Sequence, residues 1–125
     1  MKALVFLLVA SPALAADPIE GAWRTQPNDQ GGVALVQIAP CGTGFCGTVT
    51  GDVDAQGRTT PSTMQGQTII RNVVPEGDTY RGGRVLNPET GKSYAARLIL
   101  DGDRLDVGGC VLKICRSGGV WTRAD

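Results

Sequence analysis

One hairpin signal in the second half of the sequence constrains the fold more than any other feature. Asn87 can accept backbone hydrogen bonds at the entry to a turn, Pro88 fixes the first turn φ, and Gly91 permits a left-handed backbone at the exit. The signal predicts a four-residue loop, Pro88–Gly91, built around a type I turn. The strand that follows alternates in hydropathy and places on one face Tyr94, Ala96, Leu98 and Leu100.

Turn signals at short spacing divide the rest of the chain into further strands. No segment has a helical period over eleven or more residues, and residues 52–62 are predicted as a loop. The Gly82-Gly83 pair predicts a kink inside the strand Tyr80–Leu86. Because closing such a meander removes exposed sheet edges, the chain is predicted to be all-β, a small antiparallel up-and-down β-barrel of about eight strands. The other predicted strands are Val33–Ala39, Gly47–Val53, Gln67–Val74, Lys92–Leu100, Arg104–Gly109, Cys110–Cys115 and Val120–Arg123.

The first 15 residues have the parts of a secretory signal peptide. Lys2 precedes a short apolar run, and Pro12 is followed by an Ala-x-Ala ending at Ala15. We expect cleavage after Ala15, with Ala16 as the alternative, which leaves residues 16–125 as a single barrel domain in the periplasm or outside the cell. A retained membrane anchor is disfavoured, because a bilayer requires roughly 20 apolar residues.

Charge excludes some classes of partner. Removing residues 1–15 leaves 11 basic and 12 acidic residues, a net charge of −1, and therefore no basic field for nucleic acid. The length suits one modest core, and a monomer that does not span a membrane is favoured.

The four cysteines form two pairs of equal spacing, Cys41–Cys46 and Cys110–Cys115. An even count in an exported chain favours disulfides over a zinc site. A local bridge needs the chain to reverse between its two cysteines. Gly42 and Gly44 favour such a reversal in the first pair, whereas the residues between Cys110 and Cys115 are less obviously a turn. Two local bridges are favoured, and cross-pairing stays open.

Read as a whole, the chain resembles the exported bacterial proteins of domain-of-unknown-function family 2147. The match covers nearly all of residues 16–125, and its most specific part is the hairpin followed by a terminal Trp-x-Arg. The chain departs from the family at Asn87, where Asp is usual, and at Tyr80, where Trp is usual. The matching motifs are Gly21-x-Trp23, Cys41 with Phe45-Cys46-Gly47, Met64-x-Gly66 before Ile69-Ile70, Gly83-Arg-Val85-x-Asn87-Pro88-x-x-Gly91-Lys92-x-Tyr94, Gly109-Cys110, Cys115-Arg116 and Trp121-x-Arg123.

The resemblance implies a lipocalin-like barrel. In such barrels an early Gly-x-Trp and a late Arg commonly pack together and close the base. Carried over to this chain, it implies that the Arg123 guanidinium lies over the Trp23 indole, a cation–π contact of roughly 0.5–2 kcal/mol. The alternative is an arginine free in solvent near the chain end.

Catalytic chemistry is not expected. The chain has no histidine, the commonest general base and metal ligand, and no motif of an activated nucleophile. No cofactor or metal is predicted, because the short acidic pairs lack the ligand count of a calcium site.

Two functional hypotheses remain. The first is a binding barrel that takes a small apolar or amphipathic ligand in its mouth or interior. Its candidate lining consists of Tyr80, Arg84, Tyr94 and Trp121, although large strand residues more often simply pack. The second is an envelope-accessory or protein-interaction module with a filled interior that acts through surface loops, chiefly Asp52–Thr63.

Overall fold

The computed structural model describes residues 16–125, so the predicted signal peptide at residues 1–15 lies outside the described residues. The described chain forms a single sheet of ten antiparallel strands, and residues 16–125 contain no helix. The strands are β1 Gly21–Arg24, β2 Val33–Cys41, β3 Gly44–Val53, β4 Thr59–Thr60, β5 Thr68–Glu76, β6 Thr79–Arg81, β7 Arg84–Leu86, β8 Ser93–Asp101, β9 Arg104–Val111 and β10 Ile114–Arg123.

The sheet closes into an up-and-down barrel. Strands β1, β2 and β3 pair in sequence, β3 pairs with β5, and β8, β9 and β10 pair in sequence before β10 returns to β1. Strands β6 and β7 share one position in the ring, because both lie between β5 and β8. The ring therefore has eight positions, while the two-residue β4 pairs only with the end of β3. The predicted all-β barrel is confirmed.

The core occupies the half of the barrel where residues 17–20 and the last residues of β10 lie. Trp23, Ile70 and Leu98 are fully buried there, and Phe45 packs edge-on against Tyr80 with ring centroids 6.2 Å apart. Alternate side chains of the long strands point inward, as in β2, where Val36 and Ile38 are buried and Gln37 is exposed. The buried apolar residues are Ile19, Trp23, Val36, Ile38, Val49, Ile69, Ile70, Val73, Tyr80, Ala96, Leu98, Leu105, Val107 and Trp121.

The Gly82-Gly83 pair interrupts one barrel strand, as its sequence predicts. Tyr80 pairs with Leu98 of β8, but Val85 pairs with Tyr94, so one extra residue enters the register between β6 and β7. A Cβ at Gly83 would lie 1.9 Å from the Arg71 carbonyl oxygen. Only glycine permits this close passage of two backbones.

The hairpin between β7 and β8 has the predicted four-residue loop. The Asn87 side-chain oxygen accepts the Glu89 N–H at 3.0 Å, and its carbonyl accepts the Gly91 N–H at 2.8 Å. Gly91 has a φ of 74°, the left-handed value for which glycine is suited. The loop fixes the register in which Val85 faces Tyr94.

Two predictions about local structure need correction. Residues 52–62 are not all loop, because β3 runs to Val53 and Thr59–Thr60 pair with its end. Residues 110–115 are not one strand: β9 and β10 reverse there through a two-residue turn, Leu112-Lys113, in which Leu112 has a φ of 57°. Leucine is not a turn residue of this type, so only the favoured Cys110–Cys115 bridge, and no turn residue, indicated the reversal.

Both disulfides are local. Cys41 and Cys46 bridge the β2–β3 turn with Cα atoms 5.7 Å apart. Cys110 and Cys115 lie directly opposite each other on β9 and β10, with Cα atoms 4.0 Å apart. Each bridge therefore clamps one hairpin near its turn, at opposite ends of the barrel.

Replacing Gly83 tests the backbone crossing. Gly83→Ala should lower the free energy of unfolding by about 3 kcal/mol, because its Cβ would overlap the Arg71 carbonyl oxygen. Gly51→Ala is the matched control, since the nearest atom to its added Cβ is 3.6 Å away, and we expect a change below about 1 kcal/mol. Equal urea midpoints for the two variants would contradict the close crossing.

Candidate ligand-binding cavity

A cavity of about 1120 Å³ opens at the end of the barrel opposite residues 17–20. The loops around its mouth are the β1–β2 loop, residues 54–67, the β7–β8 hairpin and the β9–β10 hairpin. Known small-molecule pockets have volumes of roughly 300–1,000 Å³, so the cavity is large enough for one small ligand. The barrel is thus filled at one end and hollow at the other.

The deep wall of the cavity is apolar. Val49, Ile69, Val107 and Trp121 line it, and each is at most 7% exposed. Met64, from the loop before β5, lies against the same core cluster and also lines the cavity. These side chains offer an apolar ligand a surface already shielded from water, which favours binding through the hydrophobic effect.

The rim of the cavity carries a few charged groups. Asp52 lies opposite Ala34 in the β2–β3 pairing, and Arg116 lies opposite Gly109 in the β9–β10 pairing. All four residues line the cavity, so one carboxylate and one guanidinium lie on different walls of the mouth. Within residues 16–125 neither forms an ion pair, and both therefore remain available to a polar end of a ligand.

Only two of the four predicted lining residues belong to this cavity. Tyr94 and Trp121 lie on its wall. Tyr80 is buried in the filled half, and Arg84 lies on the outside of the barrel, where its Nη2 donates to the Ser93 carbonyl at 2.9 Å. Tyr80 and Arg84 therefore do not share a site with Tyr94 and Trp121, which corrects the prediction that all four line one cavity.

Sequence reasoning also missed several lining residues. Ala34, Val49 and Val107 are small or β-branched residues at inward positions of predicted strands. The alternation of side chains along each strand therefore predicted that they face the interior. Alternation does not give a residue's height along the barrel, which decides between core and cavity. Met64 belongs to the family motif Met64-x-Gly66, but it precedes the predicted strand Gln67–Val74, so no alternation gave its face.

The closed end is organised by Trp23 and Arg123. They are partners in the β1–β10 pairing, and the Arg123 Cζ lies 4.0 Å from the Trp23 ring centroid, as the family resemblance implies. Arg123 also donates to the carbonyls of Glu20 at 2.8 Å and Pro18 at 2.5 Å. The Trp23 Nε1 donates to the Ile19 carbonyl at 2.9 Å. These contacts hold residues 17–20 across the barrel base.

Tyr80 anchors the same segment from inside. Its hydroxyl donates to the Asp17 carboxylate, which also accepts the Ile19 N–H at 3.0 Å. Burial, together with the hydrogen bond to the Asp17 carboxylate, raises the pKa of the Tyr80 hydroxyl well above its usual value. Tyr80 therefore remains protonated and supports the base rather than the cavity.

The described residues show no metal centre. No group of three or more potential metal-ligating His, Cys, Asp or Glu side chains occurs in residues 16–125. Over the same range, no helix is long and apolar enough to cross a membrane.

Comparison with known proteins agrees with the architecture. The family described as "Uncharacterized protein conserved in bacteria (DUF2147)" matches residues 21–123. Protein HP1028 of Helicobacter pylori, described as belonging to the lipocalin family, superposes with a TM-score of 0.62 at 17% identity, covering 85% of this chain and 82% of that one. At this identity the likeness shows the fold. No curated protein matches the chain.

The role of Arg123 can be measured directly. Arg123→Lys keeps the charge but loses the planar stack on Trp23 and the paired donors to Glu20 and Pro18. We expect the free energy of unfolding to fall by about 1–3 kcal/mol in urea titration. The control is Arg81→Lys at an exposed site, which should change it by less than about 0.5 kcal/mol. Equal effects at both sites would show that the base does not depend on the guanidinium.

The Tyr80–Asp17 contact predicts an alkaline signature. Because the folded-state pKa of Tyr80 is raised, its contribution to stability is complete below the unfolded tyrosine pKa of about 10 and is lost as pH rises above it. The stability difference between wild type and Tyr80→Phe should therefore shrink by at most about 1.4 kcal/mol between pH 8 and 11. A difference that stays constant over this range, measured by urea unfolding, would exclude a buried protonated Tyr80.

Proposed function

The chain belongs to this family of uncharacterised bacterial proteins, and from that premise we propose that it is a non-catalytic periplasmic protein that binds one small apolar or amphipathic ligand. The ligand would occupy the open half of the barrel, with its apolar part against Val49, Val107 and Trp121. A polar end would lie at the rim, within reach of Asp52 or Arg116. Tyr94 would line the entrance.

The observation that carries the proposal is the hollow half of the barrel. An eight-strand barrel can fill its interior with side chains, or leave room for one small ligand. Here Trp23, Tyr80 and Phe45 fill the closed end, while a cavity of about 1120 Å³ with an apolar deep wall remains at the mouth. A protein that acted only through its surface loops would gain nothing from this space. The cavity therefore favours a binder over a filled interaction module.

The same wall argues against catalysis. The deep wall of the cavity is apolar, the chain has no histidine, and Asp52 and Arg116 at the rim lie on separate strands. Acid–base catalysis needs a titratable group placed within hydrogen-bond reach of a substrate and oriented by a partner. Asp52 has no side-chain hydrogen bond within residues 16–125 and therefore lacks such an orienting group.

A periplasmic location is supported by the disulfides. Two bridges within a chain of a bacterial family are typical of an exported protein, because the cytosol keeps thiols reduced. The predicted signal peptide at residues 1–15 agrees with this assignment.

Filling the cavity tests the proposal. Ala34 lines the cavity, so Ala34→Phe should occupy part of its volume and weaken the binding of the apolar fluorophore N-phenyl-1-naphthylamine by about tenfold or more. The matched control is Ala95→Phe at an exposed position of β8, which should bind the fluorophore as wild type does. Thermal unfolding of both variants checks that each is folded.

Native mass spectrometry identifies the ligand class. The protein purified from periplasm without detergent should carry an added mass that is absent from its denatured spectrum. A bare mass, together with equal fluorophore binding by wild type and Ala34→Phe, would refute the binding function.

A further inference from the structure

The turn between β9 and β10 holds three of the four exposed large apolar side chains in residues 16–125. We define the hairpin tip as residues Val111–Ile114. Three of its four side chains are large and apolar, and their exposed fractions are 59% for Val111, 96% for Leu112 and 67% for Ile114. Val74, at 39%, is the one other exposed large apolar side chain in residues 16–125. The tip is thus a concentrated apolar feature on an otherwise ordinary surface.

The backbone of the tip is strained and clamped. Leu112 has a φ of 57°, a left-handed conformation that disfavours leucine and is normally taken by glycine or asparagine. The Cys110–Cys115 bridge lies directly behind the tip and holds its two strands together. A turn selected for stability alone would have a residue that tolerates this φ. Strain combined with an exposed leucine therefore points to a functional use of that side chain.

The tip does not pair with either neighbouring strand. The last pairing of β9 with β8 is Cys110 with Ala95, and the last pairing of β10 with β1 is Thr122 with Arg24. No residue of β8 or β1 pairs with Val111–Ile114, so the only strand pairing of these residues is within their own hairpin. Their side chains can move from water into an apolar medium without any rearrangement of the barrel.

The charged residues near the tip indicate which kind of surface it contacts. Lys113 lies in the tip and Arg116 follows it by three residues, whereas residues 107–124 contain no Asp or Glu. Exposed large apolar side chains next to basic ones are the pattern of an interfacial anchor, in which the apolar groups enter the headgroup region and the cations meet anionic lipid. We propose that the hairpin tip docks this protein on the surface of an anionic phospholipid bilayer.

Acidic groups elsewhere on the rim limit the contact to the tip. Asp52, Asp54 and Glu89 line other sides of the mouth and would be repelled by anionic headgroups. The barrel therefore meets the bilayer through one edge of its mouth rather than face down. Val111 and Ile114 also line the cavity, so the docked edge would join the bilayer to the cavity wall. This last consequence rests on the proposed ligand binding, whereas the docking itself does not.

Vesicle flotation tests the docking. The disulfide-bonded protein should float with phosphatidylcholine vesicles that contain about 30% phosphatidylglycerol, and not with pure phosphatidylcholine. Leu112→Asn keeps a residue that accepts the left-handed backbone but removes the apolar side chain, and it should weaken partitioning by about tenfold. Lys113→Gln should weaken it by about fivefold and reduce its dependence on salt. Val74→Asn, the same type of change on β5, should float as wild type does.

Leu112→Trp gives a second measurement that does not depend on loss of binding. The emission of the added indole should shift to the blue when the tip enters anionic vesicles. Trp23 and Trp121 are already buried, so their own emission should not change. Flotation of Leu112→Asn equal to that of wild type, or no blue shift, would overturn the proposal. So would a lipid-free dimer that Leu112→Asn dissociates, because a second copy would then cover the tip. Fluorophore binding in lipid-free solution is a separate readout, so failure of the cavity to bind would leave the docking result intact.

Discussion

The barrel depends on a short seam. Strands β1 and β10 close the ring through only two residue pairs, and one of these is Trp23 with Arg123. So short a ladder supplies few backbone hydrogen bonds, and side chains must secure the closure. The stacked guanidinium does so in two directions, because it covers the indole and also binds the carbonyls of Pro18 and Glu20. The contacts of Arg123 therefore both close the ring and cover its base.

This closure explains how a small barrel can have both a core and a cavity. Trp23, Tyr80 and Phe45 gather near the base, and together with the aliphatic side chains around them they exclude water from that half. Toward the mouth, the inward positions hold smaller residues such as Ala34 and Gly109, so the walls do not meet. Stability is concentrated at one end of the molecule, and the other end is free to hold space open.

The sequence predicted turns whose residues act on their own backbone, but it did not predict where strand side chains lie in the barrel. Asn87, Pro88 and Gly91 predicted the β7–β8 loop because each acts through its own backbone. Arg84 was misplaced because strict alternation from Tyr80 would turn it inward, whereas the extra residue at the glycine kink turns Val85 inward instead. The Leu112-Lys113 turn was missed because its conformation opposes the preference of its own residue. The family resemblance supplied the Trp23–Arg123 contact, which no local pattern contains.

The position of the described chain ends has a practical consequence. Asp17 is bound beneath the barrel by Tyr80, and the Asp125 carboxylate accepts the Ala22 N–H at 3.2 Å, so both ends leave from the base. Strand β10 alone, with its ten residues, spans roughly 30 Å from the hairpin tip to this point. An affinity handle, a surface tether or a fused domain attached at either end would stand behind the barrel. Such an attachment leaves the mouth and its apolar edge facing freely outward.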